Sequence, residues 1–104
     1  MAIKLLIRRQ FKREDLQKGA HLLMRMRYTA MGMKGYISSE TLSDYEDPSQ
    51  VLVVSMWQSL EEWRQWAGSS QRAEFSAELV KYMVGSEQIQ ILSLGIEQEL
   101  FPAV

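Results

Sequence analysis

Three tryptophans fall between positions 57 and 66, at Trp57, Trp63 and Trp66. Indole rings are large, flat and mostly apolar, which suits them to a packed core or to the wall of a site for a planar ligand. On a helix that follows Trp57, the residues Leu60, Trp63 and Ala67 share a face, and Trp66 lies roughly 60° round from Trp63. Trp63 therefore reads as core. Trp66 stands just before the break Gly68-Ser69-Ser70, where a pocket mouth can open, and it reads equally as core ring or ligand shelf.

The charged and polar candidates lie on two other helical stretches. Arg27 projects to the middle of an apolar arc, flanked by Leu23, Met24 and Met31. It either reaches out to solvent or a carboxylate along its aliphatic stem, or aims a guanidinium into a pocket where it would stabilise an anion. Arg25 points the opposite way, as a solvated charge. His21, the only histidine, sits on the flank of the same arc: a surface imidazole, or a proton carrier. Farther along, Phe75, Leu79, Tyr82 and Met83 form one side of a helix whose other side is also apolar (Ala73, Ala77, Val80, Val84). A helix with so wide an apolar arc is expected to be deeply buried or to line a cavity. Put together, Trp57, Trp66, Phe75 and Met83 are the candidate substrate walls. Arg27 is the candidate cation, with His21 and Tyr82 as candidate proton relays.

Much other chemistry has no foothold in the sequence. With no cysteine there is no disulfide framework, thiolate nucleophile or Cys-ligated metal. His21 has only Lys18 and Arg25 at neighbouring helical positions, so no metal is expected. There is no GxGxxG, Walker-type loop or Gly-flanked serine, and no cofactor is expected. Lys+Arg 12 against Asp+Glu 13 gives a net charge of -1. The small basic group Arg8, Arg9, Lys12 and Arg13 reads as a strand end and loop, so no nucleic-acid partner is expected. The opening MAIKLLIRRQ is not built like a secretory signal, and no stretch approaches a membrane span. The expectation is a cytoplasmic chain with no membrane partner.

A single domain over 1–104 must position these residues, since 104 residues hold one core. Ile3 to Arg9 reads as the first strand. Glu14 to Met31 reads as a helix with Leu16, Ala20, Leu23, Met24 and Met31 in one arc, stopped by Gly32 and Gly35. Tyr36 to Leu42 is a strand, with Tyr36 and Glu40 on one face. Asp44 to Gln50 is a loop turning at Asp47-Pro48, and Val51 to Trp57 (VLVVSMW) is a strand. Ser59 and Glu62 have capping-box spacing for a short helix through Ala67. A third helix covers Gln71 to Val84, and a last strand runs from Gln88 to Ile96 before the tail ELFPAV.

The order β-α-β-β-α-β predicts an α+β, ferredoxin-like fold: a four-stranded antiparallel sheet with helices on one face. VLVVSMW is apolar at nearly every position, so both of its faces call for burial. One helical layer covers one face only. A second copy packed sheet on sheet is the expected cover, making a homodimer.

The run from Gly35 to Phe75 resembles the antibiotic biosynthesis monooxygenase family. The resemblance rests on Gly35-Tyr36 opening a strand, the Asp47-Pro48 loop, a β-rich strand ending in Trp57, the Ser59-x-x-Glu62 cap, and Trp66 nine residues after Trp57. It implies a ferredoxin-like domain in a dimeric α+β barrel, and oxidation of quinols or polyketide anthrones without metal or flavin. In the family's haem-degrading branch a Trp works with an Asn and a His. Trp66 matches the Trp, Ser76 stands where the His would be, and the chain has no Asn. The polyketide-oxidising branch also uses an Asn. Two functions follow as expectations: a cofactor-independent monooxygenase for a small aromatic, quinol-like substrate, or a non-catalytic dimeric module of the same fold that binds a small molecule or serves a stress response.

Overall fold

A computed structural model describes residues 1–95. The elements are β1 (Ile3–Gln10), α1 (Leu16–Met31), β2 (Tyr36–Ser43), β3 (Gln50–Trp57), α2 (Leu60–Ala67), α3 (Ser70–Leu79) and β4 (Gln88–Ser93). One-turn 3-10 segments precede α1 (Arg13–Asp15) and follow α3 (Val80–Tyr82). The strands form one antiparallel sheet in the order β2-β3-β1-β4. This is the α+β, ferredoxin-like fold. Ile96, the end of the expected last strand, and the tail after it lie outside the described residues.

Period-two alternation decides what each strand gives the core. On β1, Ile3, Leu5, Ile7 and Arg9 face the helices and are buried, while Lys4, Leu6 and Arg8 face away. Pairing carries the same division across β3: Val51, Val53, Ser55 and Trp57 lie under the helices, and Leu52, Val54 and Met56 lie on the open face. On β2 the register slips between Tyr36 and Ser38, a bulge at Ile37. An extra residue reverses the alternation, so Tyr36 shares the helix side with Ser39 and Thr41. The expected grouping of Tyr36 with Glu40 is corrected by this bulge.

The buried stripe of α1 is Gly19, Leu22, Leu23, Met26 and Ala30; of the expected arc Leu23 is buried and Leu16 packs against the core, but Ala20, Met24 and Met31 are exposed. The true stripe has helical spacing but includes a glycine and an alanine, whose weak hydrophobicity hid it. Met24 and Met31 are about half exposed. Gly19 lets the buried Phe11 ring lie directly on the helix backbone, where a Cβ would overlap it.

The third helix is shorter than expected. It ends at Leu79, and of its residues only Arg72 and Leu79 are buried. Ala73, Ala77, Val80 and Val84 are exposed, so the expectation of deep burial or cavity lining fails for that side. Backbone bonds from Lys12 N–H to Tyr82 O (2.9 Å) and from Val84 N–H to Gln10 O (2.8 Å) tie the 3-10 turn to the end of β1 instead. Among the described residues no helix is long and apolar enough to cross a membrane.

Candidate functional site

A cavity of about 60 Å3 lies between the helices and the sheet. Its floor shows why it exists. Tyr36, Ser39 and Thr41 of β2 lie in register with Trp57, Ser55 and Val53 of β3. Short hydroxyl side chains at Ser39, Thr41 and Ser55 occupy positions that a filled core gives to Leu or Ile, so space remains above them.

The roof is aromatic on one side and aliphatic on the other. Trp63 and Trp66 reach in from α2, and Leu23, Met26 and Ala30 from α1. Trp57 closes the floor at 1% exposure, with the Tyr36 ring edge-on to it at 5.5 Å between centroids and 86° between planes. The Tyr36 hydroxyl is 2.5 Å from Ser39 Oγ, a polar pair in the wall. Helix α2 holds its two indoles in place through its start: Ser59 Oγ accepts from the Glu62 N–H at 3.2 Å. The reciprocal bond of a full capping box does not form. Glu62 packs instead against Gly35, whose φ of +90° and missing Cβ allow the contact.

The remaining wall is cationic. Arg27, Arg9 and Arg72 all line the cavity, and among the described residues no carboxylate or imidazole does. Arg27 is exposed and sits at the edge of the buried stripe rather than in its middle. With Leu23 and Thr41 it also lines an outer groove of about 420 Å3 that includes Leu16, Met24 and Leu42. Arg27 is thus part of the partition between groove and cavity.

Of the expected site residues, the structure brings together Arg27, Trp57 and Trp66. His21 and Tyr82 lie elsewhere, in a shallow groove between α1 and α3 that shares no wall residue with the cavity. Helix α1 buries the stripe beside His21, which turns the imidazole outward. Lys18 Nζ lies over the Tyr82 ring at 5.9 Å, in the same groove. Phe75 is half-buried beneath the Arg25 guanidinium, 5.9 Å from its ring centroid, so Arg25, exposed as expected, also covers an aromatic face. Met83 is buried just past the end of β1, through a bridge to Phe11. Neither Phe75 nor Met83 lines the cavity: Phe75 faces Arg25 of α1, and Met83 lies past the end of the helix at Leu79.

Sequence reasoning missed Arg9, Arg72, Tyr36 and Trp63 as wall residues. For Arg9 the signal was present: Ile3, Leu5, Ile7 and Arg9 follow period two, which puts the arginine on the buried side. Arg72 had no such signal, because the buried face of α3 is too narrow to show in the pattern.

A family profile described as antibiotic biosynthesis monooxygenase matches residues 3–78. No curated protein matches the chain. Among solved structures, a conserved protein from Methanosarcina mazei Go1 is similar with 20% identity and a TM-score of 0.82, over 88% of this chain and 90% of that one. Rv0793 from Mycobacterium tuberculosis is 12% identical with a TM-score of 0.84, over 93% and 98%. SnoaB, a cofactor-independent oxygenase from Streptomyces nogalater, is 7% identical with a TM-score of 0.83, over 92% and 95%. At these identities the structural likeness speaks for the fold alone.

Proposed function

The chain belongs to the antibiotic biosynthesis monooxygenase family, and we propose that it is a cofactor-independent monooxygenase for a small aromatic, quinol-like substrate. The observation that carries this reading is the cavity inside one subunit, walled by Trp57, Trp63 and Trp66 and bordered by Arg27. A hydroquinone can itself supply all four electrons that dioxygen needs. One oxygen atom enters the ring, two hydrogens leave with the other as water, and a hydroxyquinone results. The protein's part is to exclude bulk water, hold the ring flat and favour its anion. The arginines of the wall supply the positive field, and the Tyr36–Ser39 pair offers a path for the departing proton.

Size limits the substrate. An apolar cavity of about 150 Å3 binds benzene, and a space of about 60 Å3 is well below that, so a ring enters only after side chains at the rim move. Arg27, exposed and shared with the outer groove, is the side chain freest to do so. Incubation with methylhydroquinone under oxygen-18 gas tests the proposal. One labelled oxygen atom in the hydroxyquinone is expected, above protein-free autoxidation and reduced in Trp66→Phe. Incorporation no greater than autoxidation overturns it.

A second reading, a non-catalytic binding module, is favoured by one observation: among the described residues no side chain in the wall is a carboxylate or imidazole able to act as a general base. Saturable ligand binding without label incorporation would decide for it. Under either reading we propose a homodimer. The open sheet face carries Leu6, Leu42, Leu52, Val54, Met56 and Leu92 with no helix over it among the described residues, and a second copy would cover it with a matching face.

A further inference from the structure

Two of the wall's arginines are buried more deeply than a solvent-facing charge tolerates. The Arg9 side chain is 2% exposed and that of Arg72 is 8% exposed. Glu87, just before β4, bridges them: its Oε2 accepts from Arg9 Nη2 at 2.7 Å and its Oε1 from Arg72 Nη2 at 3.3 Å. Among the described residues one carboxylate serves two guanidiniums, which leaves a surplus positive charge beside the cavity. Arginine does not shed its proton to relieve this, and a buried charge without a counter-charge is unfavourable. Burial pushes the pKa of Arg9 below its ordinary value, Glu87 opposes that shift, and the neighbouring Arg72 adds to it.

The unmet demand is also one of hydrogen bonding. Both Nε–H groups are buried with no acceptor among the described residues. Both side chains form cavity wall, next to flat indole surface. We propose that the cavity binds a small aromatic carboxylate, its two oxygens accepting the free Nε–H donors of Arg9 and Arg72 and its ring lying against Trp57 and Trp66. A carboxylate offers two acceptors and one negative charge, the complement of what the two guanidiniums lack. A neutral phenol offers neither the second acceptor nor the charge. This inference rests on reading the cavity as a ligand site, but it does not depend on turnover.

Tryptophan-fluorescence titration under nitrogen, with sodium benzoate and with benzamide as its neutral counterpart, tests it. Benzoate should quench saturably, with a Kd lower than that of benzamide by about tenfold or more. Arg72→Gln should remove that preference. Glu87→Gln, which takes away the competing carboxylate, should tighten benzoate binding, an effect that loss of packing would not produce. Equal affinities for benzoate and benzamide, no quenching by either, or weaker benzoate binding in a folded Glu87→Gln protein would overturn the inference. If Arg72→Gln fails to fold, the two-ligand comparison on the unaltered protein still decides. Charge-selective binding without oxygen-18 incorporation leaves this inference standing and sinks the oxygenase reading. Incorporation without charge preference does the reverse.

Discussion

Arg27 is exposed, yet its side chain helps close the inner cavity from the outer groove. Its contribution lies in access rather than stability, because a surface substitution away from buried polar groups changes stability by about 0.5 kcal/mol or less. Arg27→Ala should therefore raise the rate of acrylamide quenching of tryptophan fluorescence while leaving the urea midpoint nearly unchanged. An unchanged quenching rate would show that ligands enter elsewhere. Gly19 presents the opposite balance. Replacing it with Ala favours the helix by roughly 1 kcal/mol, but the added methyl overlaps the Phe11 ring, which is buried on every side. Overpacking a core costs about 1–3 kcal/mol, so Gly19→Ala is expected to be less stable than the parent in urea denaturation, against the propensity scale.

At the scale of elements, the short helix α2 matters most, because it carries two of the three indoles. Its position depends on the preceding turn as much as on its own residues. Gly35 holds a φ of +90°, accepts from the Gln58 N–H at 2.8 Å, and leaves room for Glu62. An L-residue in a left-handed conformation costs about 1–2 kcal/mol before any overlap is counted. Gly35→Ala is expected to lower stability by at least that much and to displace α2, seen as a red shift of tryptophan emission even where the chain remains folded. The β2 bulge is the second device of this kind. By reversing the alternation after Tyr36 it turns Ser39 and Thr41 toward the helices, and their small size leaves the cavity open.

For the whole molecule, the two faces of β3 have different fates, and neighbouring valines report them separately. Val53 pairs with Ile7 under the helices, and Val54 pairs with Leu6 on the open face. Under the proposed sheet-on-sheet dimer, Val54→Asp should give a folded monomer by light scattering and circular dichroism. Val53→Asp should unfold the protomer, since it places a charge in the core. A monomeric parent protein, or a Val54→Asp protein that stays dimeric, would remove the dimer proposal.

The order of elements was legible in the chain because it depends on local signals: the β-rich run VLVVSMW, the Ser59 cap and the glycines at 32, 35 and 68. Strand ends fell within a residue or two for β1, β2 and β3, and this order with right-handed crossovers leads to the ferredoxin-like sheet. Trp57 and Trp66 stood out as candidate walls because large rings near a helix break are conspicuous in any sequence. What the sequence could not decide was which other side chains those rings would meet. His21, Tyr82, Phe75 and Met83 have suitable chemistry, but their direction depends on which stripe of α1 is buried and on where α3 ends. Both are settled by packing, through a glycine pressed against Phe11 and a 3-10 turn tied to β1. Arg9 and Arg72 are far apart in the chain, and only the folded sheet and helix bring them to the same carboxylate. A local pattern records how one segment divides water from core; a shared counter-charge is a property of segments that meet only in three dimensions.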